Sequence, residues 1–219
     1  MDIKWYGHSC FLIAAESGLK ILTDPYDPKV GYPMHSIACD VVTASHQHYD
    51  HNYFAMCEGD PLRITEPGEY RVGEVSITGV PTFHDDARGE KRGRNIVFVF
   101  DIEGMRVAHA GDLGEMPDEE ALAAIGRVDV LLVPVGGYYT IDARGAREFA
   151  NRLKPKVVIP MHYRTAALGR NFKISDIDPF ISTLANCAIH RLRQSDCVLS
   201  KESLGNDRVI TLEYAGEDE

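Results

Sequence analysis

The chain lacks any apolar run near the roughly 20 residues that span a bilayer; its longest, at 95–100 and 128–135, are of strand length. No membrane span is expected. The first ten residues, MDIKWYGHSC, carry an acid at position 2 and no long apolar core, unlike a secretory leader, so a cytoplasmic location is expected. Cysteine is scarce and odd in number: Cys10, Cys39, Cys57, Cys187 and Cys197 include no CxxC pair. That argues against both a disulfide framework and a cysteine zinc knuckle, and reduced thiols are expected. Basic charge is also short, with 23 Lys and Arg against 33 Asp and Glu and a net charge of −10. A field of that sign repels polyanions, so no nucleic-acid partner is expected unless a local basic patch overrides it. No Pro- or Ser-rich linker, low-complexity tract or repeat divides the 219 residues, and one domain, 1–219, is expected.

What the chain has in quantity is short β-branched and aromatic runs. They predict strands at 3–6, 10–14, 20–23, 40–44, 75–80 and 95–100. The second half alternates: strand 106–110, helix 118–125, strand 128–133, helix 142–153 and strand 156–160. A helix at 174–184 and strands near 188–192 and 208–214 complete the pattern. Two sheets flanked by helices follow. One long polar stretch, HDDARGEKRGRN from His84 to Asn95, separates two strands; such a loop borders a site or sits in solvent.

Histidine is concentrated in SHQHYDHN, where His46, His48, Asp50 and His51 follow a strand-like run. Neither charge nor packing explains that spacing, whereas a tight turn at a strand end aims such donors at one point. Imidazole and carboxylate suit zinc and accept manganese or iron, while calcium and magnesium prefer oxygen shells. Four donors on one short loop do not easily close around a single ion, so two ions are expected, with other segments completing the set. His84 ends EVSITGVPTFH, Asp112 ends MRVAHAGD and His162 ends KVVIPMH. Singly, these read equally well as a loop histidine, a turn or cap aspartate and a packed histidine. Together they stand at the C-terminal ends of strands, as groups gathered at one edge do.

HQHYDH, followed by His84, HAGDLG and PMHY, resembles the HxHxDH, His, Asp and His pattern of the metallo-β-lactamase superfamily. WYGHSCFLI, ILTDPY, RGRNIVFVF, VDVLLVPVGGYYTIDA and KPKVVIPMHYRT resemble its compact branch related to ascorbate 6-phosphate lactonase. The resemblance implies an α/β fold, a four-layer αββα sandwich with the metal site at one edge of the two sheets. It implies that His46, His48 and His84 hold one divalent ion and Asp50, His51 and His162 a second, with Asp112 bridging. It also places His8 and Asp24 near the metals, Asp24 steadying a ligand imidazole through its second nitrogen. No cysteine stands at the bridging position, so antibiotic hydrolysis is not expected. Two divalent ions, zinc first and manganese or iron as alternatives, would share a water whose pKa falls from about 15.7 towards about 7. The expected chemistry is attack of that bridged hydroxide on a small-molecule lactone, ester or phosphoester, with Asp50 and Asp112 in catalytic roles.

Other residues carry open readings. His8 and His109 are candidates for catalysis or for support of the ligands; His109 faces away from Asp112 on a regular strand unless a turn at Gly111 intervenes. Tyr138 and Tyr139 can donate to a substrate oxygen or simply pack. The loop after His84 holds four cations, Arg88, Lys91, Arg92 and Arg94, against three acids, and its default is solvent. Arg92 or Arg94 can still hold an anionic substrate, since guanidinium grips phosphate and carboxylate bidentately. His35 and His190 read as structural or surface residues. A nuclease or phosphodiesterase is a rival that lacks a basic and aromatic platform. A mono-iron persulfide dioxygenase-like oxidoreductase is the rival from another class, and a non-catalytic metal-binding module is a third. A homo-oligomer is expected on general frequency alone.

Overall fold

The computed structural model describes residues 1–168, 172–185, 187–205 and 208–217. The predicted strands assemble into two sheets. The first runs Asp196–Val198, Asp2–Gly7, Cys10–Ala14, Lys20–Thr23, Val41–Thr43, Leu62–Ile64. Its first four strands are antiparallel and the last two join in parallel. The second runs Ala188–Arg191, Arg208–Thr211, Val157–Met161, Val130–Pro134, Met105–His109, Arg94–Ile102, Val75–Phe83, Gly68–Val72. Its first five strands are parallel and the remainder antiparallel.

Parallel strands covered on both faces need side chains that are apolar on both, and every residue of Val130–Pro134 and of Val157–Met161 is buried. One apolar cluster joins the sheets face to face, with Ile3, Trp5, Phe11, Ile13 and Ile21 of the first meeting Val97, Val99 and Val107 of the second. The helix Ala143–Leu153 starts at Asp142, whose carboxylate accepts from the backbone of Arg144 and Gly145. It buries Ala146, Phe149, Ala150 and Leu153, a single stripe at helical spacing. Asp118 caps Glu119–Ile125 in the same way, and both helices cover the second sheet.

The mixed α/β sandwich is the fold expected. Among the described residues, however, the layer outside the first sheet is made of loops, two single-turn 3-10 helices, Pro28–Val30 and Phe54–Met56, and a two-stranded parallel ladder of Ile37–Ala38 with Cys57–Glu58. Tyr26, Tyr32, Ile37 and Met56 there cover Tyr6, Cys10, Leu22 and Val42. The helix expected at 174–184 is only Asp178–Ile181. Asp176 and Ser182 explain its brevity: the Asp176 carboxylate takes the Asp178 amide, and the Ser182 and Thr183 hydroxyls bind carbonyls of the same turn, competing with helical continuation. Leu62–Ile64, Gly68–Val72 and Asp196–Val198 were not foreseen; all three are sheet edges with exposed residues. All five cysteines are free, Cys10 and Cys197 buried and the others half-buried. No described helix is long and apolar enough to cross a membrane.

The strands fix where function can sit. His8, Asp24, the loop from Ser45, His84, Asp112 and His162 each follow the C-terminal end of a strand, so one edge of the sandwich collects them all.

Candidate metal centre

Three sets of donors converge at that edge: His46, His48 and His84; His46, His51 and Asp112; and His8, Asp50, His51 and His162. Within each set the donor atoms lie within 4.8 Å of one another. Asp112 lies between the sets, its Oδ2 3.3 Å from His51 Nε2, 3.3 Å from His162 Nε2 and 3.5 Å from His84 Nε2. His46, His51, His84, Asp112 and His162 are buried, Asp50 is half-buried and His48 is exposed at the mouth. His46 Nε2, His51 Nε2 and Asp112 Oδ1 are buried without a hydrogen-bond partner. Orphaned polar atoms of that kind are costly and rare. Three of them facing one another among imidazoles and carboxylates form a donor set that fits divalent zinc, manganese or iron.

The electrostatics are those of a centre poised for cations. Burial works against charge on Asp112, but His162 and His51 hold its carboxyl well below the usual range. Burial likewise disfavours charge on His51, yet Asp112 and Asp50 outweigh it and push its pKa well above 6.5. Burial, abetted by His162, brings His8 down to about 4. Burial brings His84 to about 4 against the pull of Asp112. Asp50 is held low by His51 and His8 despite its burial.

Supporting groups set the ring orientations. The Ser45 hydroxyl donates to Asp24 Oδ2 at 2.6 Å, so its oxygen is free to accept from His46 Nδ1, 3.0 Å away. That leaves the His46 Nε2 lone pair for the centre. His51 Nδ1 donates to Asp24 Oδ2 at 2.8 Å. Asn95 ties the Asp112 turn: its Oδ1 accepts from the Asp112 amide at 2.9 Å, and its Nδ2 donates to Thr82 Oγ1 and Ala110 O. Sequence reading named Asp24 but missed Ser45 and Asn95. The available signals were a serine directly before the histidine cluster and a lone asparagine entering an apolar strand.

The turn at Gly111 decides how His109 is used. Gly111 has φ +55°, and a Cβ there would lie 2.4 Å from Ser45 Cβ, so only glycine fits. His109 Nδ1 accepts from the Gly111 amide at 3.2 Å and its Nε2 faces Ser9 O at 2.8 Å. The carbonyl requires the proton on Nε2; both nitrogens are then spent on backbone, and His109 joins none of the donor sets. His8 does join: its Nε2 is 3.2 Å from Asp50 Oδ2 and its ring centre 4.2 Å from that of His162. His8, Asp24 and His162 all adopt positive φ, at 51°, 43° and 49°, strain that clusters at functional sites.

The mouth is formed by the polar loop. Asp85 gathers it by accepting from the backbone of Ala87, Gly89, Lys91 and Arg92. Burial opposes that charge, but the four donors bring the Asp85 pKa to about 2. Arg92 and Arg94 line a cavity of about 280 Å³ together with His46 and His48. The Arg92 guanidinium lies 4.5 Å from the Tyr139 ring centre, a cation–π contact. Tyr138 is exposed, and its hydroxyl accepts from Lys173 Nζ at 3.3 Å. The sequence reading counted Asp85 only among the acids of this loop, and Lys173 escaped it.

Comparison with known proteins gives the family. A family model described as "Beta-lactamase superfamily domain" matches residues 2–162. A crystal structure from Thermotoga maritima, assigned as a Zn-dependent hydrolase of the metallo-β-lactamase superfamily, superposes with a TM-score of 0.80 at 39% identity, covering 96% of this chain and 98% of that one. The chain belongs to the metallo-β-lactamase superfamily. Within it, relatives named UPF0173 metal-dependent hydrolase include one from Archaeoglobus fulgidus, 31% identical over 200 residues, covering 77% of this chain and 85% of the relative. Another, from Carboxydothermus hydrogenoformans, is 32% identical over 196 residues, covering 75% and 85%. Metal-dependent hydrolysis is the enzyme class of this superfamily member.

Proposed function

We propose that this metal-dependent hydrolase cleaves a small anionic lactone, ester or phosphoester with two divalent ions, zinc foremost and manganese or iron as substitutes. His46, His48 and His84 would hold one ion, Asp50, His51 and His162 the other, and Asp112 would belong to both. The observation that carries this reading is the position of the Asp112 carboxylate within 3.5 Å of imidazoles from both sets. Ions so held supply Lewis-acid polarisation of a carbonyl or phosphoryl oxygen and a hydroxide nucleophile at neutral pH. The chain's own groups do the remainder. Asp24 and Ser45 keep the His51 and His46 rings aimed inward, as partners behind metal ligands do. His8 steadies Asp50, while His109 braces the Gly111 turn that presents Asp112. Arg92 and Arg94 receive the substrate's anionic group beside His46 and His48, and Tyr138 and Tyr139 form the facing rim.

The test is a panel of lactones, carboxylic esters and phosphoesters, each in a charged and a neutral form, assayed with zinc and with manganese. Hydrolysis is expected to favour charged members and to vanish in Asp112→Asn. Arg92→Ala/Arg94→Ala is expected to raise KM for charged substrates roughly tenfold or more, about the strength of a charge-assisted hydrogen bond, and to leave neutral ones little changed. Full turnover by metal-loaded Asp112→Asn, or an unchanged KM in the double variant, would overturn these assignments.

A further inference from the structure

On the edge of the second sheet opposite the metal centre lies a cleft of about 740 Å³ whose lining includes Arg127, Arg147, Lys154, Lys156 and Arg208. Lys156 and Arg208 stand where the parallel strands Val157–Met161 and Arg208–Thr211 begin, whereas His162 follows the far end of the former. The cleft therefore shares no side chain with the metal site. Among the described residues that line it there is no carboxylate. One cation is neutralised, since Lys156 Nζ pairs with Asp129 at 3.1 Å. Arg147 Nη1 lies 3.4 Å from the Cys187 sulfur and has no ion pair among the described residues. Arg208 reaches the Ser203 carbonyl, but its Nε is buried without a partner. Arg127 and Lys154 have no ion pair among the described residues.

Arg127, Arg147, Lys154 and Arg208, which have no ion pair among the described residues, repel one another locally even in a chain of net charge −10. The C-terminus of Ala143–Leu153 offsets some of that repulsion through its dipole. It does not account for Arg127 or Arg208, which come from other elements. A bound polyanion removes the repulsion. Guanidinium forks and lysine ammoniums together suit chains of phosphates. Pro155, Val158 and Val209 form its buried apolar floor. The volume lies within the roughly 300–1,000 Å³ of small-molecule sites.

We propose that this cleft is a second ligand site, distinct from the hydrolytic centre, that binds a polyphosphate chain. The phosphates lie against Arg127, Arg147, Lys154 and Arg208.

Isothermal titration with ATP, tripolyphosphate and adenosine tests the assignment. Tripolyphosphate and ATP are each expected to bind saturably at one site and to weaken as salt is raised; adenosine is expected not to bind detectably. Arg127→Glu/Lys154→Glu changes two exposed side chains and is expected to weaken ATP by about tenfold or more, with melting temperature and metal content unchanged. Asp112→Asn is expected to bind ATP as the parent does. Absence of saturable ATP binding, equal affinity in the double charge reversal, or loss of ATP binding in Asp112→Asn would each overturn the proposal. So would a single-stranded oligonucleotide that outcompetes ATP for the cleft, which would make it a polynucleotide surface.

Discussion

At the scale of single residues, His51 is the pivot of the centre. It contacts Asp24 through Nδ1 and faces Asp112 and Asp50 through Nε2, and these acids outweigh burial to raise its pKa well above 6.5. A cation at the proposed site would compete with a proton on this ring, because metal ligands must be deprotonated to bind. The sign follows: raising pH strips the competing proton, so affinity should climb as pH rises through the neutral range. Zinc titrations in two buffers of different ionisation heat should show about one proton released per chain near pH 7; a release of zero with affinity flat in pH would contradict the His51 assignment. Asp24→Asn keeps the shape but removes the charge behind that ring. Metal affinity is expected to fall roughly 10- to 100-fold, read by competition with a chromophoric chelator, and an unchanged affinity would strip Asp24 of its supporting role. The donors were legible in the sequence because each is a metal-type residue ending a strand-like run. Ser45 and Asn95 were not, because their partners, Asp24 and Asp112, lie 21 and 17 residues away and a lone Ser or Asn has no signature of such pairing.

At the scale of elements, strand ends and turns decide the geometry more than strands themselves do. Gly111 lets the chain reverse after Met105–His109, so that His109 turns to the backbone and Asp112 to the imidazoles. Gly111→Ala must adopt φ +55° and drive a methyl to 2.4 Å from Ser45 Cβ. A loss of about 2–5 kcal/mol is expected from backbone strain and overpacking together, measured by urea denaturation of the metal-free protein. A change under about 0.5 kcal/mol, the range of ordinary surface substitutions, would show that the turn is not constrained as described. Strands buried on both faces and the two capped helices were readable from apolar runs and from Asp118 and Asp142. The edge strands were not, since residues such as Leu62 and Val198, 51% and 72% exposed, carry little burial pattern. The apolar spacing from 174 to 184 promised a helix that Asp176, Ser182 and Thr183 cut to one turn by local hydrogen bonding.

At the scale of the whole molecule, two sheets share one apolar cluster and offer two unlike edges. The C-terminal edge gathers buried imidazoles and carboxylates, and the opposite edge of the second sheet gathers cations, of which only Lys156 has an ion pair among the described residues. Net charge and composition exposed neither, because a sum over the chain hides how its charges are sorted in space. The layer over the first sheet was equally hidden: Tyr26 and Tyr32 cover it from loops and Met56 from a single 3-10 turn, pieces too short or irregular to carry a periodicity. The central claim, that Asp112 joins two cation sites, is tested most directly by elemental analysis of metal per chain on protein purified without added metal or chelator and repeated after reconstitution with zinc. About two divalent ions per chain, zinc or manganese, is the expected result; a single iron, or no bound metal even after reconstitution, would contradict it.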